Sequence, residues 1–189
     1  MSADHFELLT TRLRLRTPEA SDAPALELIA SDPRVALTTA SIPHPYPRGG
    51  ALRFIEELRN AAGTNRRNLA ITLSGENQLI GMIGFIEKGS DAELGYMVSP
   101  AHWGNGYATE AASRLVEYIF SETPCQAVIG RAMIANPASE AVLRKVGLRW
   151  EREANVELPL RGGAVPTSFW RLHRESTKRQ GPRAQAPRG

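Results

Sequence analysis

The sequence predicts an α+β fold: a mixed, mostly antiparallel twisted sheet of about seven strands with about four helices. Three observations carry that expectation. The elements run β-α-α-β-β-β-α-β-α-β-β, which is not the regular alternation of a parallel βαβ sheet. The three central strands are joined by short connections rich in turn residues, the pattern of an antiparallel meander. No fixed-period repeat is present, so solenoids and propellers are excluded.

Each element has a local reason. Arg12-Leu13-Arg14-Leu15-Arg16 alternates with period two, the mark of a half-buried strand, and Thr17-Pro18 breaks it. Ser21 and Asp22 then offer caps for a helix through Ala25, Leu26, Leu28 and Ile29. Ser41–Pro47 holds three prolines in seven residues, a stiff loop, and a second helix follows over Leu52–Ala62. Asn68–Leu73, Leu79–Ile86 and Ala92–Val98 read as the meander, with turns at Ser74–Asn77 and Lys88–Asp91. Ala111, Leu115 and Ile119, beside the row Ala112, Val116 and Phe120, form one broad apolar helical stripe that Pro124 ends. Ala127–Ile134 is a buried-type strand. Asn136 caps a helix with Pro137 at its first position and Gly147 just past its end. Leu148–Arg152 and Ser168–Leu172 close the domain as strands.

Length and composition place the chain among ordinary folded proteins: 189 residues, 42% hydrophobic and 23% charged. That is one domain over 1–172, with 173–189 a basic tail almost free of large apolar residues and expected to be disordered. The formal charge of +3 is unevenly distributed. From Arg171 onward six Lys/Arg face Glu175 alone, a net of +5, so the first 170 residues hold 17 basic and 19 acidic side chains, a net of −2. A single cysteine, Cys125, excludes an internal disulfide framework and a cysteine-based zinc cluster, and it lacks an obvious activator. The four histidines show no short ligand spacing, so no metal is expected. With no apolar run near the roughly 20 residues of a membrane span, and no secretory signal, a cytoplasmic protein without a membrane partner is expected.

The chemistry concentrates in Glu93–Glu110, where a strand runs into a glycine-bearing turn and then a helix. Glycines let successive backbone N–H groups converge, and a helix N-terminus adds unpaired donors and a positive dipole. Together they make a phosphate seat. Gly104-x-Gly106 invites a dinucleotide reading, but Thr109 occupies the third glycine position and no acid closes the strand Ala127–Ile134. A P-loop lysine is missing as well. An ordinary turn that contains two glycines is the plain alternative.

The segment resembles the GNAT superfamily of N-acetyltransferases, whose pyrophosphate signature is Gln/Arg-x-x-Gly-x-Gly/Ala. Gly106 and Ala108 match the last two fixed positions, and Trp103 replaces the leading Gln/Arg. That replacement, with Gly104-Asn105-Gly106-Tyr107-Ala108-Thr109-Glu110-Ala111, is similar to the ribosomal-protein N-terminal (alanine/serine) acetyltransferase subgroup. Thr11-Arg12-Leu13-x-Leu15-Arg16 and Asn136-x-x-Ser139-x-x-Val142-Leu143-x-Lys145-x-Gly147-Leu148 agree with it, so the resemblance spans about 8–172. It implies splayed central strands, with acetyl-CoA as co-substrate. The pantetheine arm would meet main-chain groups of Met97 and Val98, and Trp103, Gly104, Asn105, Gly106, Tyr107, Ala108 and Thr109 would take the pyrophosphate. Asn136 would contact the pantetheine arm, beside its plain role as an N-cap.

The implied reaction is attack of an amine on a thioester. It needs an unprotonated amine, a stabilised oxyanion and a proton for the thiolate. Glu93 is the candidate base, the alternative being a solvent-facing charge. Ser139 is the candidate to protonate or hydrogen-bond the thiolate, the alternative being a local hydrogen-bonder of a first helical turn. Tyr96 and Tyr107 are reserve acids. His44 and Tyr46 lie in the loop that lines the acceptor pocket in this superfamily, although an exposed loop residue needs no such role. His102 is expected at the surface.

The expected activity is therefore acetyl transfer from acetyl-CoA to a primary amine in a ternary complex, with a peptide N-terminus or a small molecule, including an antibiotic, as acceptor. A non-catalytic acyl-CoA-binding regulatory domain is the competing class, and joint retention of Glu93, Asn136 and Ser139 argues against it. Nucleic acid is disfavoured as a partner, because the tail lacks aromatic residues and the body is not basic. A monomer or homodimer is expected.

Overall fold

In the computed structural model, which describes residues 6–60 and 65–175, the three turn-linked strands form the predicted meander: β3 (Arg66–Leu73), β4 (Leu79–Lys88) and β5 (Asp91–Val98). They pair antiparallel in sequence order, and the sheet extends from them on both sides. β1 (Glu7–Leu9) and β2 (Leu13–Arg16) build one flank. β6 (Ala127–Met133), β8 (Gly163–His173) and β7 (Arg149–Leu158) build the other, giving the order β1-β2-β3-β4-β5-β6-β8-β7. β5 and β6 are the one parallel pair in this order.

Helices cover both faces. α4 (Tyr107–Glu122) and α5 (Pro137–Val146) pack on one, over a core that includes Leu13, Leu15, Leu69, Ile71, Ile83, Leu94, Leu115, Ile119 and Leu143. The apolar stripe read from the sequence is buried there: Ala111, Leu115 and Ile119 are fully enclosed. α1 (Ala23–Ser31), the single turn α2 (Pro33–Ala36) and α3 (Gly50–Asn60) cover the other face with Leu26, Ile29, Val35, Ala51 and Ile55 over Ala70, Leu79 and Met82. Among the described residues no helix is long and apolar enough to cross a membrane.

The fold is the mixed, mostly antiparallel α+β sheet that was expected, with eight strands rather than seven. β1 escapes sequence reading because it is three residues long and buries only Leu8. α2 escapes because one turn carries no period; Asp32 caps it, accepting from the Arg34 N–H at 2.9 Å. The second helix starts at Gly50 rather than Leu52.

Asp22 stands at the N-cap of α1 as expected, but its side chain makes no bond into that helix: it accepts the Glu19 N–H at 2.8 Å and forms a buried two-pronged ion pair with Arg16, both contacts at 2.7 Å. The last two strands are longer than Leu148–Arg152 and Ser168–Leu172. β7 runs on through a largely exposed edge, residues 151–158, whose apolar alternation is confined to Ala154, Val156 and Leu158 and which is held by its ladder to β8.

The basic end of the chain is partly built into the domain. Arg171 pairs with Asp91 at 2.7 Å and with Glu151 at 2.9 Å. The Arg174 guanidinium donates to main-chain carbonyls of Phe120, Thr123 and Cys125, which stitches the end of β8 to the C-terminus of α4. The expected disordered tail falls, from residue 176, outside the described residues.

Candidate active site

The site begins with a ladder that stops. β5 and β6 pair only from Asp91–Leu94 to Ala127–Gly130. β4 holds β5 as far as Val98, and β8 holds β6 as far as Met133. Each strand is thus fixed to an outer neighbour while losing its inner one, and a wedge opens past Leu94 and Gly130. Gly130 is needed at the hinge of the wedge, since a Cβ there would lie 2.5 Å from Leu143 of α5.

Antiparallel pairing decides which main-chain groups line the wedge. Ser99 N–H donates to Ile80 O at 2.8 Å, and hydrogen-bonded pairs alternate along an antiparallel ladder. Met97 therefore spends its groups on Met82 of β4, whereas Tyr96 and Val98 turn theirs toward the wedge. The Val98 carbonyl is taken by the Trp103 indole N–H at 2.7 Å, and the Val98 N–H is left facing the opening. Of the two residues expected to meet a pantetheine arm through the main chain, the geometry brings Val98 to the wedge and substitutes Tyr96 for Met97.

The glycine turn stands at the wide end of the wedge. Gly104 and Gly106 both have φ of +79°, in the left-handed region where a side chain is strained. Gly106 is the N-cap of α4 and provides no side chain to the helix, so the first-turn N–H groups over Tyr107, Ala108 and Thr109 keep no side-chain cap. Asn105 folds back instead, donating to the carbonyls of His102 and Trp103.

Glu110 would place a negative charge in this first turn. Burial pushes its carboxyl up, but hydrogen bonds from Thr10 and from the main chain and side chain of Arg12 outweigh burial and hold it below the ordinary range. Arg12 Nε meets Glu110 at 2.7 Å, another guanidinium nitrogen donates to Asn105 O at 3.0 Å, and the group lies 4.8 Å from the Tyr107 ring centroid. Two segments about a hundred residues apart in sequence are thereby locked together, and the charge of Glu110 is neutralised next to the turn.

Across the wedge, Asn136 caps α5 by accepting from Ser139 N–H at 3.2 Å, and its amide reaches Thr38 O at 3.5 Å. The Tyr96 hydroxyl lies 2.9 Å from Ser139 Oγ and donates to Ser139 O at 3.1 Å, so strand and helix are joined at the mouth. Burial pushes the Tyr96 phenol up to about 12, against a partly opposing hydrogen bond from Ser139. Sequence reading ranked Tyr96 as a reserve; only its register on β5 reveals that it reaches Ser139.

Glu93 is on the opposite face of β5 from Tyr96, one residue before the end of the β5–β6 ladder at Leu94. Its carboxylate is held by Lys88 Nζ at 2.5 Å and by Arg131. Burial raises its pKa, yet the hydrogen bonds and charges of Lys88 and Arg131 prevail and keep it below the ordinary range. It is an anion already in use.

The remaining residues separate. His44 is exposed on the loop between α2 and α3. Tyr46 is half-buried against the α1–α3 core, and burial, reinforced by Glu27, pushes its phenol up. His102, expected at the surface, is partly enclosed, with Nδ1 buried and unpartnered. Cys125 is buried. Among the described residues no cluster of three metal-ligating side chains occurs. Arg161, which sequence reading passed over, reaches the α2–α3 loop from the tip of the β7–β8 hairpin.

This fold agrees with what known proteins show. The family model of the acetyltransferase (GNAT) domain matches residues 12–149, and the chain belongs to that family. It is an acyl-CoA-dependent N-acetyltransferase. It is 30% identical to the uncharacterised protein YkkB of Bacillus subtilis over 159 residues, 77% of this chain and 87% of that one. A stretch of 56 residues, 30% of this chain, is 48% identical to FsC-acetyl coenzyme A-N(2)-transacetylase of Aspergillus fumigatus but spans only 24% of that protein. Among solved structures, a GNAT-family acetyltransferase from Bacillus anthracis superposes with a TM-score of 0.80 at 25% identity, covering 90% of this chain and 99% of that one. RimL, a ribosomal L7/L12 α-N-protein acetyltransferase solved with coenzyme A, shares the fold with a TM-score of 0.75 at 17% identity, over 88% and 96%.

Proposed function

We propose that this protein transfers the acetyl group of acetyl-CoA to a protein N-terminal α-amine by direct attack in a ternary complex. The observation that carries the reading is the wedge between β5 and β6, which begins where their ladder stops and ends at an uncapped, glycine-lined helix N-terminus. A thioester arm laid in it from the turn at 103–109 presents its carbonyl to whatever stands on the α1–α3 face. The amine nitrogen forms a bond to the carbonyl carbon, the C–S bond breaks, and the proton lost by nitrogen ends on sulfur.

Roles follow from chemistry. The Tyr96 and Val98 main-chain groups that face the wedge hold the arm, as does Asn136 from α5. Ser139 and Tyr96 stabilise the departing thiolate as hydrogen-bond donors. Outright proton transfer from a phenol at about 12 to a thiol near 8.5 is uphill by roughly 5 kcal/mol. A Glu93 pinned by two cations is a weak base with no net negative charge left to draw in an ammonium, so the amine arrives neutral and water relays the proton from nitrogen to sulfur. Such a site suits an amine that needs little help. An α-amine at about 7.7–8.0 costs about 1 kcal/mol to deprotonate at pH 7, and a lysine at about 10.4 costs about 4.6. The acceptor of RimL points the same way.

The test is single-turnover transfer from acetyl-CoA, read by thiol release, to peptides with free or blocked N-termini and to lysine and small-amine acceptors. Transfer confined to free N-termini is expected. Preference for a small amine would replace the acceptor, and no transfer to any amine would favour a non-catalytic acyl-CoA-binding domain.

A further inference from the structure

The α2–α3 loop, Leu37–Gly49, is thirteen residues long and belongs to no sheet. Loops of that length in compact domains are held by something or carry function. Its own hydrogen bonds are local. The Thr38 and Thr39 hydroxyls bond back to Arg34, Val35 and Ala36, and Arg53 donates to Arg48 O. Ile42 and Tyr46 pack on the α1–α3 core, and the main hydrogen-bonded tie to a distant segment is one side chain about 120 residues away. Arg161, in the short 3-10 turn Pro159–Arg161 at the tip of the β7–β8 hairpin, donates through Nε to Thr39 O at 2.8 Å. One terminal nitrogen donates to Ala36 O at 2.5 Å and also to Ile42 O, and the other donates to its neighbour Leu160 O. A single planar fork thus collects three carbonyls spaced three residues apart, one at the end of α2 and two in the loop. The Asn136 amide adds a long contact to Thr38 O, so the same loop is joined to the cap of α5.

We infer that Arg161 is the positioning residue of the acceptor side: it fixes the α2–α3 loop against the β7–β8 hairpin and so shapes the entrance through which the amine reaches the wedge. The inference rests on the reading of the wedge as the acyl-transfer site. Arg161 carries no carboxylate partner among the described residues and touches only main-chain carbonyls, so its role is independent of the side chains of the loop. The exposed Leu37 and Leu160 each adjoin a residue in the clamp, which puts apolar side chains at the entrance. A lysine cannot replace the fork, because one ammonium centre cannot reach carbonyls that the guanidinium meets on separate nitrogens.

The test uses the full chain with Arg161→Ala and Arg161→Lys. Hydrogen exchange of the loop amides and binding of CoA by calorimetry are measured first, then KM for each substrate with an N-terminal peptide. Faster exchange over residues 38–46, CoA affinity within twofold of wild type, and a peptide KM raised tenfold or more in Arg161→Ala are expected, with partial recovery in Arg161→Lys. Wild-type loop exchange in both variants would overturn the inference, as would equal losses in CoA and peptide binding, which mark a general disruption. Should the wild type acetylate no amine, the acyl-transfer reading fails, while the exchange measurement still decides whether Arg161 holds the loop.

Discussion

Gly106→Ala isolates what the glycine turn contributes. Gly106 has φ of +79°, and a Cβ there would meet Arg12 only at 3.6 Å, an ordinary contact. The cost is thus conformational, about 1–2 kcal/mol for an L-residue held in the left-handed region. How that cost divides depends on the turn without ligand. The turn is exposed and held chiefly by Arg12 and Asn105, so an alanine can relax it when the cofactor is absent. Closing on a pyrophosphate must then restore the strained geometry, and the cost appears as a loss in affinity of about 5- to 30-fold.

Gly75→Ala is the matched control, with φ of +84° and nothing within 4 Å of the added carbon, in the turn between β3 and β4. It should lose the same 1–2 kcal/mol in stability and none in binding. The assay pairs calorimetric titration with acetyl-CoA and thermal melting of both variants. If Gly106→Ala binds acetyl-CoA as tightly as wild type, the turn is not the phosphate seat and the reasoning fails.

Other outcomes follow from the same geometry. Ser139→Ala should lower kcat by about 10- to 150-fold, the worth of one hydrogen bond to a charged group. Combined with Tyr96→Phe it should lose less than the product of the single effects, because the two hydroxyls share one bond; full multiplicativity in steady-state kinetics would separate them. The acid limb of kcat/KM should follow the amine, near 7.7–8.0 for an N-terminus, in wild type and Glu93→Gln alike, and a limb that vanishes in the variant would make Glu93 the titrating base. Since the folded-state pKa of Glu93 is lowered, its contribution to stability is present above the ordinary carboxylate range and fades as pH falls through the folded value. Melting points of Glu93→Gln and wild type should therefore differ at neutral pH and converge in acid. Removing Ser176–Gly189 should leave the acetyl-CoA dissociation constant unchanged. Arg174→Ala should instead cost about 1.5–3 kcal/mol of stability by uncapping α4, read by chemical denaturation.

The elements with a strong period or an explicit stop signal were legible from the residues alone. The α4 stripe of Ala111, Leu115 and Ile119, the Asn136-Pro137 start and Gly147 end of α5, and the meander with its turns are each specified locally, because backbone geometry and side-chain spacing act within a few residues. The glycine turn was legible for the same reason: a left-handed φ leaves its mark on the sequence as glycine. β1, α2 and most of β7 were not, since each is stabilised by a partner strand or a cap rather than by its own pattern.

Charge was the least transparent quantity. The sequence counts Arg171 with the basic end of the chain and puts Arg174 in its tail, whereas the fold spends them on Asp91, Glu151 and the carbonyls that end α4. Glu93, read as a free base, is an anion locked between Lys88 and Arg131. By itself the sequence determined the fold class, the family and the glycine turn, all of which depend on contiguous residues. The tertiary structure alone decided which main-chain groups face the wedge, that Tyr96 meets Ser139, that Arg12 neutralises Glu110, and that Arg161 holds the α2–α3 loop. Those are pairings between segments 40 to 125 residues apart, and nothing in the local sequence encodes the register and packing that bring them within hydrogen-bonding distance.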